Sequence, residues 1–218
     1  MFPVKLNIPY KILIENYLFL IRIENIPKDL IELQSLLINY HDKLPSQINE
    51  YNKFIKNKQN HRAIEYILGE IQYYELRRYC IEELSDKFSL PNIIQSRSHS
   101  KEKIGTILGI SPVGLDIEDI MFRSNAFEEM LFSPIEFMGI RNYIPIRYQK
   151  MKGIESTILW AMKEATFKLQ HHKYIGQIKT IQIKFEKGKI TAYDQYTEKN
   201  FKIMFSIFDN SIIAIASV

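Results

Sequence analysis

The stretch PVGLDIED (112–119), read together with LWAMKEATFKL (159–169), decides what kind of fold this chain adopts. Side chains alternate across a strand, so in VGLDIE residues Val113, Leu115 and Ile117 share one face, and Asp116 and Glu118 share the other. Those two carboxylates lie about 7 Å apart, two residues of strand rise. They can share one divalent cation, because hard cations such as Mg²⁺ take oxygen ligands. An exposed strand end whose acids merely meet solvent would read the same way. The second stretch shifts the balance. At about 100° per residue in a helix, Ile158, Met162, Ala165 and Leu169 form a core-facing stripe. Trp160, Glu164 and Lys168 form a second stripe, roughly 130° round from the first. An exposed Glu–Lys pair at this spacing contributes only a few tenths of a kcal/mol. The Trp160 indole is costly to leave in water and argues that this face also meets protein. A partly buried face with one acid and one base suits a ligand. Lys163 sits about 100° from Glu164 and reaches a different surface unless its stem bends back.

Outward from these stretches, KILI (11–14) and YLFLIRI (17–23) carry the β-branched and aromatic composition of strands. KDLIELQSLLINYHDKL (28–44) spaces its apolar residues as an amphipathic helix. A longer helical pattern runs through about 48–84, with Gly69 inside it as a weak point or a close-packing site. IGTILGI (104–110) is extended, a helix is expected over about 119–140, and another over about 155–170. Two β runs follow, TIQIKFEKGKITAY and FKIMFSIFDNSIIAIAS, with hairpin turns at EKGK and FDNS. Strands, then helix, then strands recur in both halves. The expected fold is α/β (α+β), two similar lobes over 1–111 and 112–218. With no low-complexity linker between them, the lobes must pack closely.

Composition narrows the function. A chain of 218 residues, 46% hydrophobic and 25% charged, can bury a substantial core. Its 29 basic against 25 acidic residues give +4, which falls short of a nucleic-acid signature. Cys80 is the sole cysteine, so an intrachain disulfide and a four-cysteine metal site are both excluded. Charges interrupt the apolar N-terminus before it approaches the roughly 18 residues of a membrane span, and no cleavage site follows a hydrophobic block. A cytoplasmic protein with no membrane and no nucleic-acid partner is expected.

VGLDIE and WAMKEATFK (160–168), some forty residues apart, resemble the V/I-G-V/I-D-x-E and W-x-x-K-E-A-x-x-K motifs of the 4'-phosphopantetheinyl transferase superfamily. SRSHS (96–100) resembles that family's S-I-S-H-S tract, which precedes a strand. HRAIEYILGE (61–70) resembles an upstream R-x-x-E tract of the enterobactin and surfactin type, and FSPIEF (132–137) resembles its F-S-x-x-E tract. The resemblance covers about residues 61–168. The chain length suits the two-lobed class, a monomeric pseudodimer.

The resemblance implies an enzyme that moves phosphopantetheine from coenzyme A to a serine of an acyl or peptidyl carrier protein and releases 3',5'-ADP. It makes Asp116, Glu118 and Glu164 the ligands of Mg²⁺ or Mn²⁺, with Glu164 also favoured as general base. Lys168 would stabilise charge on the leaving group, and Ser98 and His99 would contact coenzyme A phosphate. Arg62 would grip the ribose 3'-phosphate, with Lys87 and Lys163 as further coenzyme A contacts. Glu136 is read as structural or peripheral, and His171 and His172 as partners of the helix C-terminal dipole. There are departures. Glu70 stands where the family carries a second arginine, leaving Lys58, Arg77 and Arg78 as substitutes for it. KFSLP (87–91) lacks the glycine of the family's lysine-glycine-x-proline segment. Arg97 replaces an apolar residue, and lies either on the surface or against a phosphate. Two other classes stay open: a degenerate homologue that binds coenzyme A or a carrier protein without catalysis, and a plain α/β scaffold.

Overall fold

KILI and YLFLIRI pair as an antiparallel hairpin, β1 (Tyr10–Ile14) and β2 (Tyr17–Asn25). The alternation expected of a strand buries Tyr10, Ile12 and Ile14 while Lys11 and Leu13 face out. The computed structural model describes residues 5–14, 17–27, 30–84, 93–170, 175–186 and 188–218; Lys87, His171 and His172 lie outside the described residues. The next helix is α1 (Leu30–Tyr40). The single helix expected through 48–84 is two, α2 (Pro45–Lys56) and α3 (Asn60–Leu84). A Schellman closure separates them: Lys58 takes φ +59°, its N–H donates to the Ile55 carbonyl, and that of Gln59 to the Phe54 carbonyl. A lysine holds the left-handed position, so no glycine marked the stop.

Three strands follow, β3 (Ile94–His99), β4 (Lys103–Gly109) and β5 (Val113–Asp119). The helix expected over 119–140 is also two, α4 (Asn125–Leu131) and α5 (Pro134–Arg141). Phe132 is extended between them, and Ser133 starts α5 with a capping box to Glu136 and Pro134 in the first turn. After α6 (Ile154–Leu169) come β6 (Ile181–Glu186), β7 (Lys189–Asp194), β8 (Lys199–Phe208) and β9 (Ser211–Ser217). Both expected hairpins form, with Glu186 opposite Lys189 and Phe208 opposite Ser211.

The named strands make two antiparallel sheets, ordered β1-β2-β4-β3 and β5-β9-β8-β7-β6. In each, an early strand pairs with the last strand, which pairs with the one before it: β2-β4-β3 and β5-β9-β8. The layers run helices, sheet, sheet, helices, an α+β arrangement. Phe19, Ile21, Ile23 and Ile107 of the first sheet meet Val113, Leu115, Ile117, Ile213 and Ile215 of the second. On the far side of the first sheet, Leu20 and Leu108 pack on Leu76 and Cys80 of α3. On the far side of the second, Ile212, Ala214 and Ala216 pack on α6. The edge strands β3 and β5 come together through serines rather than backbone pairing. The N–H of Leu115 donates to Ser96 Oγ at 2.9 Å and that of Ile117 to Ser98 Oγ at 3.1 Å, which satisfies an otherwise bare edge. No helix among the described residues is long and apolar enough to cross a membrane.

Candidate active site

The site begins at Gly114. A Cβ there would run into the Ala165 carbonyl oxygen and the Leu169 amide, so only glycine lets the α6 backbone lie directly on β5. Ile158, Met162, Ala165 and Leu169 then bury in the core, as their stripe requires. The second stripe is half-buried and looks onto the polar face of β5. Lys168 Nζ donates to Asp116 Oδ1 at 2.6 Å and to Ser98 Oγ at 3.0 Å, and Ser98 Oγ donates to the same Asp116 oxygen at 2.9 Å. Asp116 is 2% exposed, and its second oxygen, Oδ2, is buried with no hydrogen-bond partner.

One turn away, Trp160 Nε1 donates to Glu118 Oε1 at 3.0 Å. The other Glu118 oxygen accepts from Arg123 at 3.2 Å. That guanidinium lies 5.0 Å over the Phe127 ring and 5.2 Å over Trp160, and its Nε is buried without a partner. Arg123 escaped the sequence reading because the helix expected over 119–140 took in the non-helical segment between β5 and α4 that carries it. Burial raises both Glu118 and Glu164 above the ordinary carboxylate range. Asp116 raises each of them further, so the three acids share one electrostatic neighbourhood. Lys168 partly offsets the effect at Glu164, and Arg123 and Trp160 at Glu118.

Three carboxylates, a buried unpaired oxygen among them, suit a hard cation in donor chemistry. Their present disposition is another matter. Among the described residues no three acidic, histidine or cysteine side chains stand where they would hold a metal together. Both Glu118 oxygens are turned to Trp160 and Arg123, and Lys168 occupies Asp116 Oδ1.

Ser98 also lines a second locus, a cavity of about 260 Å³ with Arg62, Glu65, Tyr66, Arg97, His99 and Ile104. Arg62, Glu65 and Tyr66 come from one side of α3, and Arg97 and His99 from the face of β3 opposite its serines. His99 Nδ1 lies 3.1 Å from Glu65 Oε1, and His61 Nδ1 lies 2.7 Å from the same oxygen. Arg62 stacks 4.9 Å over Phe54. Arg97 pairs with Glu70 at 2.8 Å and crosses Gly69, where a Cβ would stand 3.1 Å from its guanidinium. Gly69 is therefore a close-packing site.

Six of the sequence-derived residues thus fall around Ser98: Asp116, Glu118, Glu164 and Lys168 on one side, Arg62 and His99 on the other. Lys163 does not join them. It is 2% exposed, donates to the Leu131 carbonyl at 2.7 Å and pairs with Glu136 at 3.0 Å. Of the substitutes for the missing arginine, Arg78 pairs with Glu75, Arg77 lies over Tyr73, and Lys58 closes α2. No protein-family model matches this chain, and no curated protein matches it in sequence.

Proposed function

We propose that this chain is a 4'-phosphopantetheinyl transferase, moving phosphopantetheine from coenzyme A to a serine of an acyl or peptidyl carrier protein. The observation that carries the reading is the meeting of Asp116, Glu118, Glu164 and Lys168 across β5 and α6, with Asp116 Oδ2 buried and unpaired. The strand order common to the two sheets, an early strand beside the last and the last beside the penultimate, supports the two-lobed, pseudodimeric class. A monomer follows from that class, and the mild positive charge suits an acidic carrier.

In the proposed reaction the carrier serine oxygen forms a bond to the phosphorus that bears pantetheine. The bond from that phosphorus to the bridging oxygen breaks, and its electron pair leaves with 3',5'-ADP. Glu164 takes the serine proton, a role suited to a carboxylate whose proton affinity burial has raised. Lys168, released from Asp116, faces the leaving phosphate and stabilises its charge. Ser98 and His99 orient the nucleotide end, and Trp160 holds Glu118 in place. Asp116, Glu118 and Glu164 would hold Mg²⁺ or Mn²⁺, which when bound supplies neutralisation of the pyrophosphate.

The test is intact-protein mass spectrometry of apo carrier proteins incubated with the chain, coenzyme A and Mg²⁺. A carrier gaining one phosphopantetheine, and losing that gain with EDTA, is the expected result. Glu164→Ala should lower transfer by about 10²- to 10⁴-fold with the fold retained. Unchanged turnover in that variant removes Glu164 from the chemistry. Coenzyme A binding without mass gain on any carrier would leave a binding module instead.

A further inference from the structure

Arg123 is built into the carboxylate cluster rather than left on its rim, and the backbone on either side of it is tied down. Thr157 Oγ1 of α6 accepts from the Met121 N–H and donates to the Met121 carbonyl, both at 3.3 Å. Ser124 caps α4 by accepting from the Phe127 amide. Gly153 lets this turn rest on the start of α6, since a Cβ there would meet the Met121 carbonyl oxygen at 2.2 Å. The Arg123 side chain, 12% exposed, lies against both the Phe127 and Trp160 rings.

Its hold on Glu118 is thin by comparison. One terminal nitrogen donates to Oε2 at 3.2 Å, and Nε is buried with no partner. Charge-assisted bonds of this kind usually close to about 2.7–2.9 Å, and the guanidinium fork can grip a carboxylate twice. Glu118 Oε1 has a separate partner in Trp160 Nε1 at 3.0 Å. A neutral donor thus fixes one oxygen of Glu118, and a replaceable cation holds the other. Arg123 also opposes the raised proton affinity of both Glu118 and Glu164, so the whole cluster feels its charge. When ionised, the three carboxylates face two cations, Lys168 and Arg123. A divalent ion added to all five leaves excess positive charge in a half-buried site, whereas one that takes the place of Arg123 leaves none.

We propose that Arg123 is the resident counterion of the carboxylate cluster, and that metal loading is an exchange in which Glu118 gives up Arg123 and keeps Trp160. The inference rests on the transferase reading for the metal that these acids would hold. Arg123 then sets the metal concentration at which the site fills, and keeps the acids paired when metal is scarce.

The full chain without coenzyme A tests this, with the metal alone as probe. Mn²⁺ binding is measured by electron paramagnetic resonance of the free ion. Emission of Trp160, the sole tryptophan, is followed in Mg²⁺. In wild type Mg²⁺ should change that emission saturably, because a cation leaves the ring face. Arg123→Gln should bind Mn²⁺ at least about tenfold more tightly and lose most of the emission change. A bracing role alone would do the opposite, since a loosened Glu118 weakens binding. Arg123→Lys keeps the charge without the planar contact to two rings. It should bind Mn²⁺ with intermediate affinity, and it serves if Arg123→Gln fails to fold. Binding by Arg123→Gln alone is the same exchange at its limit and supports it. Three results overturn the exchange and leave the metal site and the transferase reading standing: variants that bind Mn²⁺ no more tightly than wild type, wild-type emission unmoved by Mg²⁺ although Mn²⁺ binds, or an emission change that survives Arg123→Gln. Mn²⁺ bound by neither wild type nor variant overturns the exchange together with the metal ligation, while transfer to a carrier is read separately by mass.

Discussion

Lys163 and Lys168 of α6 both pair with a carboxylate, at 3.0 Å to Glu136 and 2.6 Å to Asp116. At Lys163 every partner is accounted for. Glu136 Oε1 also accepts from the Ile183 amide at 2.9 Å and Oε2 from the Ser133 amide at 2.7 Å, while Lys163 donates to the Leu131 carbonyl. Burial pulls the Lys163 ammonium below its ordinary range, with Glu136 opposing the shift. The result is a closed brace tying α6 to the start of α5 and to β6. At Lys168 the pair is left incomplete: the lysine side chain is 31% exposed, Asp116 keeps a buried oxygen unpaired, and two further acids crowd it. Saturation of hydrogen bonds, more than burial or distance, separates a structural ion pair from one available for chemistry.

The contrast can be broken by removing the acid from each pair. Glu136→Gln strands a lysine that is 2% exposed and should cost roughly 3–5 kcal/mol in denaturant unfolding. The steric seat of the site comes next. Gly114→Ala forces a methyl into the α6 backbone and should cost about 3 kcal/mol, with α6 lifted from β5 and transfer lost. Asp116→Asn should change stability by less than about 1 kcal/mol, because Lys168 can swing to water and repulsion on Glu118 and Glu164 is relieved, yet transfer should stop. A loss as large as that of Glu136→Gln would make Asp116–Lys168 a second brace and erase the distinction.

The smallest effect is on pH dependence. Glu164 and Glu118 have folded-state proton affinities raised above the ordinary value of 4.5, so the folded chain holds these protons more tightly than the unfolded one. Their contribution is fully present below that value and is lost as pH rises through the raised ones. Melting of Glu164→Gln against wild type in EDTA should therefore favour the variant increasingly from about pH 4 to pH 8. A constant difference across that range would place Glu164 among ordinary solvent-facing carboxylates.

Periodicity carried the strand face of Asp116 and Glu118, the two stripes of α6 and both C-terminal hairpins, because each is decided by neighbours within a few residues. The helix stops at Lys58 and Ser133 were missed for a local reason, one being a left-handed lysine and the other a capping box inside an apolar run. The partners inside the site were out of reach for a different reason. Arg97 finds Glu70 from 27 residues away, Trp160 finds Glu118 from 42, and Lys168 finds Asp116 from 52. Such pairs depend on how β3 and β5 are brought edge to edge by Ser96 and Ser98, and on how closely Gly114 lets α6 descend. The local alphabet thus names the acids, the lysine and the helix face that presents them. Only the packing of the two sheets decides that Lys163 closes a brace, that Lys168 keeps one open, and that Arg97 turns to the cavity.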